Sequence, residues 1–104
     1  MTIIYEVNLK IAQSISDEYL AWLPQHIKEM CQQKGFLSAS LYHDLTSADT
    51  NSKEDSYIVQ YKVASMADLQ HYFDHHAAAM RQQAISLFGD QFTASRRILS
   101  PINL

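Results

Sequence analysis

This sequence predicts an α+β domain: a four-stranded antiparallel sheet with two helices on one face. Three observations carry that expectation. Residues 2–11 and 56–63 alternate apolar and polar side chains with a period of two, as strands with one buried face do. Residues 65–89 place Met66, Leu69, Phe73, Ala77, Met80, Ala84 and Leu87 at steps of three and four, which is one stripe along a helix. The segments then run strand, helix, strand, strand, helix, strand within 104 residues, a length that suits one domain with one core.

In the first strand, Ile3, Tyr5, Val7, Leu9 and Ile11 share one face, and Thr2, Ile4, Glu6, Asn8 and Lys10 the other. Residues 14–34 form the first helix, with Leu20, Leu23, Ile27 and Met30 as its stripe. Ser14 or Ser16 is placed to cap it, and Asp17 and Glu18 suit its positive end. Pro24 removes an amide and crowds the carbonyl of Leu20, so a kink or a restarted helix is expected there. Trp22 lies off the stripe, at the helix edge or against a partner.

Residues 36–43 are a second strand, and residues 44–55 a polar loop, read as loose. In the third strand Tyr57, Val59, Tyr61 and Val63 face one way and Ile58, Gln60 and Lys62 the other. Ser65 caps the second helix, with Asp68 three residues on completing an approximate capping box, and Gly89 ends it. At 1.5 Å per residue that helix spans roughly 35 Å. Residues 91–99 are the fourth strand, stopped by Pro101.

Right-handed crossovers turn this βαββαβ order into the ferredoxin-like fold, with the first and third strands central. Both helices cover one face. Ile4, Ile58 and Leu41 are expected on the other, among Glu6, Asn8, Gln60 and Lys62. A half-apolar open sheet in so small a domain calls for a partner, and a second copy related by a two-fold axis is the simplest one.

Composition narrows the functional classes. The net charge of −3 gives no electrostatic reason for nucleic acid or an anionic membrane as partner. Cys31 is the single cysteine, so no internal disulfide forms, and no apolar run approaches membrane-spanning length or a leader pattern. A cytoplasmic protein is expected. Tyr5, Tyr57 and Tyr61 resemble the stacking aromatics of RNA-recognition modules, but by parity they face the helices, and the charge is wrong.

Several stretches resemble one family. They are residues 3–8 (Ile-Ile-Tyr-Glu-Val-Asn), residues 19–27 (Tyr-Leu-Ala-Trp-Leu-x-x-His-Ile) and residues 59–61 (Val-Gln-Tyr). Residues 76–81 (His-Ala-x-x-Met-Arg) and 88–99 (Phe-Gly-Asp-x-Phe-x-Ala-x-Arg-Arg-Ile-Leu) complete the pattern. It is similar to that of short bacterial proteins of unknown function within the dimeric α/β-barrel superfamily. The resemblance covers nearly the whole chain apart from the 44–55 loop; Pro24 departs from the family's first helix. It implies two ferredoxin-like protomers packed sheet to sheet around a cavity, and it carries over no catalytic residue.

Three functional readings follow. The first is a small-ligand-binding or accessory module. The second is a cofactor-independent oxygenase- or isomerase-like enzyme acting on a small apolar molecule in the barrel cavity, by analogy with the superfamily. The third is an interaction module using the open sheet. For catalysis the candidates are His76, Glu6 and Arg97; for ligand anchoring, Glu6, Gln60 and Arg97 on the open face. A cross-strand Glu6–Arg97 pair also reads as a structural ion pair. His76 borders the helix stripe and is expected to be partly covered, as a packing residue or a general base. Which of Arg96 and Arg97 faces the open side stays undecided, with Phe92, Ala94 and Ile98 favouring Arg96 on the helix side. Arg81 stands on the helix flank, placed to pair with a carboxylate of the fourth strand or a loop. His71 and His75 have two-histidine metal spacing, but without a third ligand they read as exposed surface residues, and no metal or cofactor is expected. Cys31 reads as a small core residue.

Overall fold

The computed structural model describes residues 1–46 and 53–104. Strand β1 (Ile3–Ala12) leads through a single 3-10 turn (Gln13–Ile15) into helix α1 (Ser16–Met30). Strands β2 (Phe36–His43) and β3 (Glu54–Val63) follow, then helices α2 (Met66–His75) and α3 (Ala77–Phe88), and strand β4 (Phe92–Leu99). The sheet order is β2-β3-β1-β4, antiparallel throughout, so β1 and β3 are central as the ferredoxin-like reading requires. The looseness expected of the 44–55 loop falls largely on residues 47–52, outside the described residues.

Tyr5 is the centre of the core. Its ring meets Phe36, Tyr61, Tyr72 and Phe73 at centroid distances of 5.4 to 6.5 Å, mostly edge-on or tilted, the arrangements that ring quadrupoles favour. Ile11, Val63 and Leu69 close the core around it, fully buried.

The structure departs from expectation in four places. The second helix is not continuous: His76, at φ −130° and ψ −26°, breaks it into α2 and α3. The break re-phases the apolar stripe. At about 100° per residue an unbroken helix carrying Leu69 and Tyr72 inward would also turn His76 and Leu87 inward. α3 instead buries Ala77, Met80, Ala84 and Phe88, a rotation of roughly 70° by the same geometry. His76 therefore stands exposed, and Leu87 is 60 % exposed. Met66, the first stripe residue, is also largely exposed.

At α1, neither Ser14 nor Ser16 caps; Ile15 occupies the N-cap without a side-chain bond, because the 3-10 turn already supplies the preceding backbone. Pro24 lies inside an unbroken α1. It is exposed, so the amide it removes is lost on the solvent side, where water can serve the freed carbonyl.

At α2, Ser65 does cap: its hydroxyl accepts from the Asp68 amide at 3.1 Å. The Asp68 carboxylate lies instead over Gly35, whose φ of 82° and missing side chain make that approach possible.

In β2, a register shift between Phe36 and Ser38 reverses the alternation. Leu41 then pairs with Val59 on the helix side, and Tyr42, opposite Ile58, takes the open face in its place.

Candidate functional site

The two faces of the sheet present different chemistry. On the open face, Glu6 and Arg97 are direct cross-strand partners between β1 and β4. Arg97 donates to the Glu6 carboxylate from Nε at 2.6 Å, and its terminal nitrogen forms an ion pair with the same oxygen at 2.6 Å. Gln60 donates to it at 3.0 Å and Asn8 at 3.1 Å. Glu6 is only 2 % exposed, whereas the Arg97 side chain is 64 % exposed. The bonds from Arg97 hold the Glu6 carboxyl down at about 2, with Gln60 and Asn8 adding to them against the cost of burial. The structure thus brings Glu6, Gln60 and Arg97 together, and the alternation puts Arg97, not Arg96, on this face.

The helix-covered face holds a cavity of about 580 Å³. Tyr5, Val7 and Leu9 of β1, Val59 and Tyr61 of β3, and Phe92, Ala94 and Arg96 of β4 form its floor. Tyr19, Leu23 and His26 of α1, Tyr72 of α2, and Met80, Arg81 and Ala84 of α3 form its roof. Small residues make the room: Val7 and Ala94 below, Ala84 above. Burial raises the Tyr19 and Tyr72 phenols to about 12, and that of Tyr61 further, so all three are neutral donors in ordinary conditions.

His26 is the cavity residue that sequence reasoning missed. Its ring stacks on Trp22 at a centroid distance of 4.6 Å, and Trp22 in turn packs on Tyr19 and Phe88, so the tryptophan needs no outside partner. Desolvation lowers the His26 pKa from its ordinary value, against the opposing bond to Gln83 and the charge of Glu29, which keeps the imidazole neutral at pH 7. The side-chain amide of Gln83 places its nitrogen toward Met80 Sδ, at 3.7 Å, and its oxygen 3.4 Å from His26 Nδ1. A carbonyl oxygen only accepts, so Nδ1 carries the ring proton and Nε2 keeps its lone pair. The one available signal was its place in residues 19–27, three residues after the stripe position Leu23.

The other sequence candidates lie elsewhere. His71, His75 and His76 are exposed around the helix break, with ring centroids 4.5, 5.6 and 6.3 Å apart. Among the described residues no group of three or more His, Cys, Asp or Glu is arranged to hold a metal ion. Arg81, expected to pair with a carboxylate, lines the cavity instead, and Glu6–Arg97 is the only ion pair among the described residues. Cys31 is a free, partly covered thiol whose pKa is raised by desolvation, which keeps it protonated and unreactive. Among the described residues no helix is long and apolar enough to cross a membrane.

Comparison with solved structures agrees with this architecture. Rv0793 from Mycobacterium tuberculosis superposes with a TM-score of 0.69 at 16 % identity, covering 100 % of this chain and 98 % of that one. A variant of SnoaB, a cofactor-independent oxygenase from Streptomyces nogalater, superposes with a TM-score of 0.70 at 11 % identity, covering 98 % and 95 %. An ethyl tert-butyl ether d (ethd) family protein from Bacillus halodurans reaches a TM-score of 0.65 at 14 % identity, covering 96 % and 99 %. At such identities the likeness establishes the ferredoxin-like fold alone. No curated protein matches the sequence. The profile of the family described as Domain of unknown function (DUF4286) matches residues 2–102, and the chain belongs to that family.

Proposed function

We propose that this member of the DUF4286 family binds a small, flat, mostly apolar molecule in the cavity between its helices and its sheet. One observation carries the reading: an aromatic-walled space of about 580 Å³ in a domain of 104 residues, far more room than a packed core leaves. Trp22 is the only tryptophan and stacks on a wall residue, so its fluorescence reports occupancy. Titration with 2-methoxynaphthalene is expected to quench it saturably. Ala84→Phe fills the roof and is expected to abolish that quenching while the folded far-UV spectrum stays. Equal binding by the folded variant would overturn the reading.

Catalysis is the second reading, and His26 favours it. A neutral imidazole with a free lone pair in the wall of an apolar cavity is a group that can take a proton from a bound molecule. SnoaB, of like fold, is a cofactor-independent oxygenase, and this chain would work in the same class without needing Glu6 or His76.

The open face goes to a second copy in this proposal. Ile4, Ile58 and Tyr42 supply its apolar part and the Glu6 cluster its polar part. Glu6, Gln60 and Arg97 of the two copies would then lie near one another across the two-fold axis, as anchors for anything held between the sheets. We place the homodimer in the cytoplasm, where the free thiol of Cys31 is at home.

A further inference from the structure

The cavity opens between α3 and β4. Its exposed lining residues are Arg81, Ile85, Gly89, Asp90 and Arg96, all from α3, β4 or the turn that joins them; the rest of the lining is buried or half-buried. The mouth therefore holds all the formal charges of the lining, two cations and one anion. Backbone geometry sorts them. Gly89, at φ 59°, ends α3, and the chain re-enters the sheet at Phe92, so β4 runs back beneath α3. Counted from that turn at about 1.5 Å per residue, Arg81 stands about 10 Å back along α3. At about 3.3 Å per residue, Arg96 stands about 13 Å along β4. The two arginines share one end of the mouth, and Asp90, in the turn, holds the other. That separation exceeds the screening length of about 8 Å in physiological salt, so Asp90 does not neutralise them. Neither arginine has a carboxylate within ion-pair distance among the described residues.

The interior resists charge. Burial pushes the Tyr19 and Tyr72 phenols up to about 12, and that of Tyr61 further. A ligand's anionic group is thus kept at the mouth, and only a neutral body enters.

We infer that the cavity takes aromatic carboxylates, with the ring inward and the carboxylate at the mouth between Arg81 and Arg96. This rests on the cavity being the ligand site. The rings of Tyr5, Tyr19, Tyr61 and Tyr72 give a flat body its walls. Ile85, one turn after Arg81 and 48 % exposed, offers apolar surface to the part nearest the mouth. A guanidinium is a planar fork that matches the two oxygens of a carboxylate. Both arginines are exposed to water, so their pull is modest: two such pairs together favour the anion by about tenfold.

The test is equilibrium dialysis of the whole chain at pH 7 against three probes that share one ring system: 2-naphthoate, neutral 2-naphthamide and cationic 2-naphthylmethylammonium. The carboxylate is expected to bind about tenfold more tightly than the amide, and the cation more weakly than either. Raising salt from about 0.01 M to about 1 M shortens the screening length from about 30 Å to about 3 Å and is expected to remove most of the preference. Arg81→Gln with Arg96→Gln is expected to bring the carboxylate level with the amide and leave amide binding as it was. Both positions are exposed, so the variant keeps the fold.

Equal binding of carboxylate and amide by the unaltered protein would overturn the inference while the cavity stands as a site for neutral molecules. A preference that survives high salt or the double substitution would overturn the assignment to the two arginines. Binding of no probe, with 2-methoxynaphthalene also failing to quench Trp22, would overturn the inference and the proposed function together.

Discussion

Tyr5 and Glu6 are neighbours in β1, yet they stand on opposite sides of the sheet and obey opposite rules. Tyr5 looks into the aromatic core and the cavity; Glu6 looks at the open face, where three donated hydrogen bonds and the Arg97 ion pair satisfy it. The open face has the more eye-catching chemistry: a buried carboxylate with its pKa pulled far down. A group so fully partnered has little left for a ligand, because breaking its bonds costs about as much as a new contact returns. On the helix side Arg81 and Arg96, both exposed to water, lack ion-pair partners among the described residues, and His26 keeps a lone pair. Polar groups without a protein partner beside open space suit a binding site better than a fully partnered cluster does.

The comparison can be broken by substitution on either side of the same strand. The largest effect is expected on the helix face. Tyr61→Ala removes a ring that is 2 % exposed and should cost about 3 kcal/mol in urea unfolding, while Gln60→Ala beside it should cost about 1 kcal/mol or less. Similar costs at the two positions would mean that the open face carries as much of the stability as the core.

Next comes Ile58→Lys, which sets a charge on the proposed two-fold interface. It should weaken association by about 2 kcal/mol and move the protein to the monomer position on a sizing column at low micromolar concentration. An unchanged elution volume would take Ile58 out of the interface.

A somewhat smaller effect is expected from acid. The Glu6 carboxyl lies below its unfolded value, so its stabilisation is fully present above about pH 4.5 and fades as pH falls toward about 2. With the exposure of Arg97 discounting the pair, it is worth about 1–2 kcal/mol. Glu6→Gln should flatten that part of the stability curve, and an acid limb identical to the parent's would show the cluster to be energetically idle. His26, also depressed, contributes at higher pH: its share is lost as pH falls through the ordinary histidine range.

The smallest effect concerns the helix break. His71→Ala with His75→Ala should leave zinc and nickel content unchanged, measured by elemental analysis of the purified protein. Loss of a bound metal would make the exposed histidines a site after all.

Much of this was legible in the residues. The faces of β1 and β3 follow from the alternation at Ile3–Ala12 and Glu54–Val63, and the Glu6–Arg97 pair from the order of strands. The Ser65 cap and the turn at Gly89 (φ 59°) are equally local. The cavity was not legible, since His26, Arg81 and Arg96 are separated widely in the chain and the stretches that hold them imply no role for any of the three.

What the sequence determined by itself is what depends on a residue and its near neighbours: strand parity, helix stripes, caps, and the ferredoxin-like order that short connections impose. What only the tertiary structure decided depends on phase between elements. One extra residue at the start of β2 moves Leu41 from one face to the other, and one non-helical residue at position 76 turns α3 enough to expel His76 and Leu87 and admit Phe88. Such shifts cost little locally, so local pattern does not mark them. They are selected because the packed core as a whole is better filled that way, and the space left beneath α1 and α3 is the cavity.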